Sequence, residues 1–144
     1  MKIRFAAAVL YALVLVLPGK ADERGPENLA LKAKASASSE YNGQYLARFA
    51  IDGVGPAQGG RNDVGHAWCV QGREAADKAD FTLEWPEPVI VSELVYFGRT
   101  GWSTEECWKE YELYLNGNST PVAKGQFATL HGPQRIKFPQ ATVT

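Results

Sequence analysis

Two apolar runs and the loop between them decide the fold: Val89-Ile90-Val91-Ser92-Glu93-Leu94-Val95-Tyr96-Phe97, then Gly98-Arg99-Thr100-Gly101-Trp102-Ser103-Thr104-Glu105-Glu106-Cys107-Trp108-Lys109-Glu110, then Tyr111-Glu112-Leu113-Tyr114-Leu115. The first run is β-branched and aromatic almost throughout, the pattern of a strand buried at the centre of a sheet. The last alternates apolar and polar, as a strand with one buried face does. It ends in Asn116-Gly117, a strong turn signal. The connecting loop holds one arginine, two tryptophans and one cysteine, which makes it a platform for a ligand.

Outward from this centre the same grammar repeats. Phe81-Thr82-Leu83-Glu84-Trp85 alternates and is bounded by Pro86 and Pro88. Arg135-Ile136-Lys137-Phe138 alternates after the turn at Gly132-Pro133, and Val122–Lys124 and Gln126–Phe127 are weaker strand signals. Upstream, Asn28 to Ser38 places Leu29, Leu31, Ala33, Ala35 and Ala37 on one face of a predicted strand, with Lys32, Lys34, Ser36 and Ser38 on the other. Tyr45 to Ile51 predicts a short helical turn ended by Asp52-Gly53. Val54 to Gly65 is a Gly-rich loop, His66 to Val70 a short strand and Gln71 to Asp80 a polar loop. Many short strands with regular turn signals and no long helical pattern predict an all-β sandwich or barrel. At 144 residues the chain has room for one such domain.

The N-terminus reads differently. Lys2 and Arg4 make a basic start, Phe5 to Leu17 is an apolar run of thirteen residues, and Gly19 and Ala21 offer small residues for cleavage. That is the pattern of a secretory signal peptide over residues 1–21, cut after Ala21. A membrane span needs about twenty apolar residues. Residues 22–27 then form a charged linker with Gly25-Pro26, and residues 28–144 the domain. The expected location is therefore secreted, periplasmic or extracellular, with no transmembrane segment in the mature chain. Export permits disulfides. Cys69 and Cys107 are the two cysteines. A bridge would close a loop of about forty residues, worth roughly 4 kcal/mol in the chain-entropy account; two separate buried thiols are the alternative.

Composition excludes several function classes. A formal net charge of -1 gives no electrostatic case for nucleic acid. The two histidines, His66 and His131, share no zinc-ligand spacing. There is no Gly-x-Ser-x-Gly nucleophile elbow, and Gly59-Gly60 lacks the Lys-Ser/Thr of a phosphate loop. Catalysis is not expected.

An ordered set of short motifs resembles the discoidin domains, also called coagulation factor V/VIII type C domains, of the galactose-binding-like superfamily. It consists of Asn28-Leu29-Ala30, Ala35 to Ser39, Ala50-Ile51-Asp52-Gly53, Trp68, Phe81 to Val89, Gly98-Arg99, Trp108 and Tyr111 to Leu115. The resemblance covers about residues 28–144. It implies an eight-stranded jelly-roll β-sandwich that binds sugars, lipid head groups or protein partners through loops at one end. It often implies a structural calcium, and bacterial members are often carbohydrate-binding modules. The family's closing strand, with its aromatic-Arg-Leu run, is missing before Thr144, so the resemblance implies a fragment or an open sheet edge. The loop Val54 to Gly65 is also longer than usual, and His66 stands where a threonine is common.

Three residues of the decisive loop are candidate ligand contacts. Trp102 offers an aromatic face for the C–H face of a sugar, and Arg99 a planar donor for its hydroxyls. Arg99 has the competing reading of an ion pair with Glu105, Glu106 or Glu110. Trp108 reads as core by its place in the family pattern and as a contact by its place in the loop. Trp68 and Trp85 read as core. Asp52 matches the calcium-site aspartate of the family pattern, with Asn62 or Asp63 as further oxygen donors; by the residues alone, Asp52-Gly53 is equally a turn. The expected function is a secreted, non-catalytic binding module whose partner is carbohydrate or a cell-surface glycan. The alternative is a structural or protein-interaction domain serving other domains of a longer extracellular protein.

Overall fold

The computed structural model describes residues 1–6, 10–11, 27–72, 78–102 and 106–144. Among these the fold is all-β, with almost no helix. Its strands are Lys2–Ala6 (β1), Leu10–Tyr11 (β2), Lys34–Ala37 (β3), Ala79–Glu84 (β4), Val89–Gly98 (β5), Glu110–Tyr114 (β6), Ala123–Gln126 (β7) and Pro133–Val143 (β8). They form two antiparallel sheets, one in the order β3-β4-β1-β6-β7 and the other β2-β5-β8. Inward residues of both sheets meet in one core, with Ile3, Phe81, Leu83 and Leu113 from the first and Val91, Leu94, Tyr96, Ile136 and Phe138 from the second.

The decisive runs fold as their patterns predict. β5 is the middle strand of its sheet, and Val91, Leu94, Val95 and Tyr96 are fully buried on it. Its one buried carboxylate, Glu93, receives Arg135 Nη1 from β8 at 3.1 Å, so the charge is not left alone in the apolar layer. In β4 the alternation holds, with Phe81 and Leu83 buried and Trp85 buried just past its end. After β6 the chain turns at Asn116 and Gly117, which take φ of 52° and 72°, the left-handed region that this residue pair tolerates. Trp68 stacks on Trp108 with ring centroids 5.6 Å apart and tilts against Phe81 at 5.1 Å. Trp85 anchors its edge by donating Nε1–H to the Leu29 carbonyl at 2.8 Å.

Two expectations are corrected. Residues 28–38 are not one strand: Leu29–Lys32 is a 3-10 turn, and only Lys34–Ala37 is extended. Asn28 is the cause, because its side chain accepts the Ala30 N–H at 3.1 Å and caps the turn. Leu31, assigned to the buried face, is consequently exposed. His66 to Val70 is no strand either; it carries a turn and an isolated bridge at Trp68. Lys2–Ala6 are the first residues of the predicted leader pattern. These residues form the central strand of the five-stranded sheet, between β4 and β6. Their alternation suits the position: Ile3 is fully buried, while Lys2 and Arg4 reach Asp80 at 2.8 and 3.1 Å. The edges of that sheet are β3 and β7. Most of the expected leader, its cleavage site and residues 22–26 of the linker lie outside the described residues. No helix among the described residues is long and apolar enough to cross a membrane.

Candidate functional site

The loop that follows β5 is held from below by a buried ion pair. Arg99, the residue after the strand, is 9% exposed and Asp63 only 2%. Arg99 donates from Nε and Nη2 to the two oxygens of Asp63, the Nη2 bond measuring 3.1 Å. Its Nη1 reaches Glu106 at 2.6 Å. Tyr45 adds an O–H donor to Asp63 at 3.3 Å, and its ring lies 5.3 Å from the guanidinium carbon. Burial opposes the charge on Arg99, but its hydrogen bonds to Asp63 and the negative charge of the nearby carboxylates hold its pKa above the ordinary value. The competing reading of Arg99 as an ion-pair residue thus describes its contacts, with Asp63 as a partner from a distant loop. Its guanidinium is occupied; it positions the loop rather than presenting donors to solvent.

Trp102 rests on this base. Its ring centroid is 4.6 Å from the Arg99 guanidinium carbon and 5.7 Å from that of Arg61, and the residue remains 44% exposed. Arg61 comes from the Gly-rich loop and donates Nε–H to the Gly101 carbonyl at 3.0 Å. The two loops touch so closely that a Cβ on Gly101 would lie 1.9 Å from the Gly60 carbonyl oxygen. Only glycine permits that approach. Arg61 has no carboxylate partner among the described residues, which leaves the rest of its guanidinium available.

Beside Arg61 opens a cavity of about 350 Å³, lined by Val54, Pro56, Ala57, Arg61, Asn62 and His66, with Gly55 and Gly60 in its backbone. This is within the ordinary size of a small-ligand pocket. It mixes apolar walls with an amide, an imidazole and a guanidinium. His66 Nδ1 lies 2.6 Å from Asp52 Oδ2, so Nε2 is its remaining hydrogen-bonding atom. Gly55 packs toward the Phe97 ring, which ties the pocket loop to the end of β5.

Asp52 behaves as a turn residue. Its Oδ1 accepts the Val54 N–H at 2.8 Å and its Oδ2 faces His66. No group of three or more His, Cys, Asp or Glu side chains converges among the described residues, and Asp63 is committed to Arg99. The side-chain donors around Asp52 therefore do not fit calcium as they stand: an ion would have to displace His66 or the turn hydrogen bond.

Trp108, the third candidate contact, is 1% exposed and packed on Trp68, so it belongs to the core. Cys69 and Cys107, the expected pair, stand as buried free thiols. Burial pushes Cys69 up to about 12 against the pull of Arg99, and burial raises Cys107 too. Cys69 forms a small apolar cluster with Ala67, Tyr45 and Phe97 beside the ion pair. The site thus brings Arg99 and Trp102 together, leaves Trp108 in the core, and adds Arg61, Tyr45, Asn62 and His66. Ser103, Thr104 and Glu105 lie outside the described residues.

The fold and this loop cluster define an all-β, two-sheet domain with a cavity lined by the Gly-rich loop and His66. The chain belongs to a family described as a domain of unknown function (DUF7402), which matches residues 28–144. Comparison with curated proteins and with solved structures finds no match.

Proposed function

We propose that this chain is an exported, non-catalytic carbohydrate-binding domain of the galactose-binding-like jelly-roll kind. The observation that carries the reading is Trp102, a half-exposed indole buttressed by Arg99 and flanked by Arg61, which itself lines a 350 Å³ cavity. Sugars offer apolar C–H faces that lie on aromatic rings, and hydroxyls that pair with planar donors. Trp102 provides the ring, Arg61 the donors, and Asn62 and His66 further polar contacts within the cavity. Rigid support matters as much as the contacts: a side chain already held in place loses little entropy on binding. Arg99 supplies that support, fixed by Asp63 and Glu106. The leader pattern of residues 1–21 and the ordered discoidin-like motifs support export and the fold type.

The test is a glycan panel probed by tryptophan fluorescence, with Trp102→Ala and Arg61→Ala alongside the natural chain. Saturable binding lost in both variants supports the reading; a folded protein that responds to no glycan refutes it.

A further inference from the structure

A second exposed aromatic ring stands in line with Trp102. Tyr41 lies in the loop that follows β3 and is 52% exposed, more open than Trp102 itself. Its ring centroid is 6.2 Å from that of Tyr45, with the two planes tilted by 57°. The Tyr45 ring lies 5.3 Å from the Arg99 guanidinium carbon, and that carbon lies 4.6 Å from the Trp102 ring. The four side chains form one continuous row. Tyr41 and Trp102 are its open ends, Tyr45 is half-buried and Arg99 is buried. The open rings can be no farther apart than these three legs laid end to end, and two side chains stand between them. An exposed tyrosine alone would call for no explanation; its place at the far end of the row that supports Trp102 does.

The Tyr41 loop is held in place. Tyr41 N–H donates to the Cys69 carbonyl at 2.7 Å, and Tyr45 N–H to the Asn42 carbonyl at 3.1 Å. Asn42 Oδ1 accepts the Gln44 N–H at 2.8 Å, closing a turn within the loop. Gly65 N–H, two residues past Asp63, donates to the Gln44 carbonyl at 2.9 Å. The loop is thus tied to the segment that carries Arg61 and Asp63, and the Tyr45 O–H to Asp63 bond ties it to the ion pair beneath Trp102. A tyrosine supplies a large contact face with few rotatable bonds, so a ring on a fixed loop loses little entropy on binding. Asn42 and Gln44, both exposed, place amide side chains on the same turn.

We infer that Tyr41 is a second sugar subsite, so that the ligand is a glycan chain rather than a single sugar. One sugar unit lies on Trp102 and a later one on Tyr41, with the chain crossing Tyr45 between them. One sugar ring cannot lie on both aromatics when two side chains separate them. The inference rests on the carbohydrate reading of Trp102 and adds a minimum ligand length to it. A chain held at Trp102 meets Tyr41 intramolecularly, so the second contact acts at a high effective concentration.

The test is a calorimetric length series on the full chain, with cello-oligosaccharides, xylo-oligosaccharides and oligogalacturonides from one sugar unit to six. In the series that binds, affinity is expected to rise at least about tenfold once the oligomer reaches from Trp102 to Tyr41, and then to level off. Tyr41→Ala should remove that rise and bring the long oligomers to the affinity of the short ones. Tyr41→Phe should keep it, because the ring carries the contact. Trp102→Ala should weaken binding at every length. An affinity independent of length, or a rise that survives Tyr41→Ala, overturns the inference and leaves the Trp102 site standing. A folded chain that binds none of the three series overturns the inference together with the reading it rests on.

Discussion

Arg99 and Asp63 meet through two parallel hydrogen bonds, Nε to Oδ2 and Nη2 to Oδ1, with both side chains almost closed off from solvent. They are thirty-six positions apart, so the pair joins the loop after β5 to the Gly-rich loop. Everything proposed for the site rests on that joint.

Removing Asp63 should therefore cost stability as well as binding. Asp63→Ala leaves a buried guanidinium facing only the half-exposed Glu106, and breaking such a pair costs about 3–5 kcal/mol. Urea unfolding should show the midpoint falling accordingly. Glu106→Gln should shift it by less than about 1 kcal/mol, because that carboxylate is 44% exposed and Asp63 remains.

Gly101→Ala should cost both binding and stability. The added Cβ collides with backbone at Gly60, which cannot swing aside as a side chain would. The two loops must part, moving Arg61 away from Trp102. Glycan affinity should fall by about tenfold or more, as expected when a preorganised contact is lost. The thermal unfolding midpoint should fall as well, because the buried Arg99–Asp63 pair ties the same two loops.

Arg61→Ala is the matching side-chain test. Arg61 is exposed and makes one hydrogen bond to a carbonyl, so folding should be unaffected. A charged hydrogen bond to a ligand is worth about 1.5–3 kcal/mol. Calorimetry should accordingly show glycan affinity reduced by roughly ten- to a hundredfold.

The buried thiols predict an alkaline limit. Cys69 is pushed from its ordinary 9.0 up to about 12 in the folded chain. Between those values the unfolded thiol has lost its proton while the folded one keeps it. The stability linked to Cys69 is thus intact below pH 9 and is lost as pH rises toward 12, at about 1.4 kcal/mol per pH unit. Burial raises Cys107 and Tyr45 in the same direction. Urea midpoints measured from pH 8 to 11 should fall steadily above pH 9. Both thiols should resist a disulfide reagent in the native state and react on unfolding.

What could be read in advance was what local pattern controls. The unbroken apolar run of β5 and the alternation of Phe81, Leu83 and Trp85 decide burial without reference to distant neighbours, and both fold as read. The error at Leu31 arose from one side-chain hydrogen bond, Asn28 to Ala30, which turns the chain before the alternation can be used. Lys2-Ile3-Arg4 satisfies two patterns at once, a basic leader start and a basic–aliphatic–basic strand, and composition does not choose between them. Trp102 was legible as an aromatic in a polar loop. Arg61 was not, because its position beside Trp102 is created by a backbone contact between Gly60 and Gly101. No periodicity in a Gly-rich loop announces such a meeting.

The most direct test of the central claim is a tryptophan-fluorescence titration of the folded chain with neutral and acidic sugars and polysaccharides. The chain has four tryptophans, and Trp68, Trp85 and Trp108 are buried, so Trp102 is the one placed to report a ligand. A carbohydrate site predicts a saturable shift with at least one glycan class, abolished by Trp102→Ala with unfolding unchanged. A flat response across the panel, or a shift that survives Trp102→Ala, would contradict it.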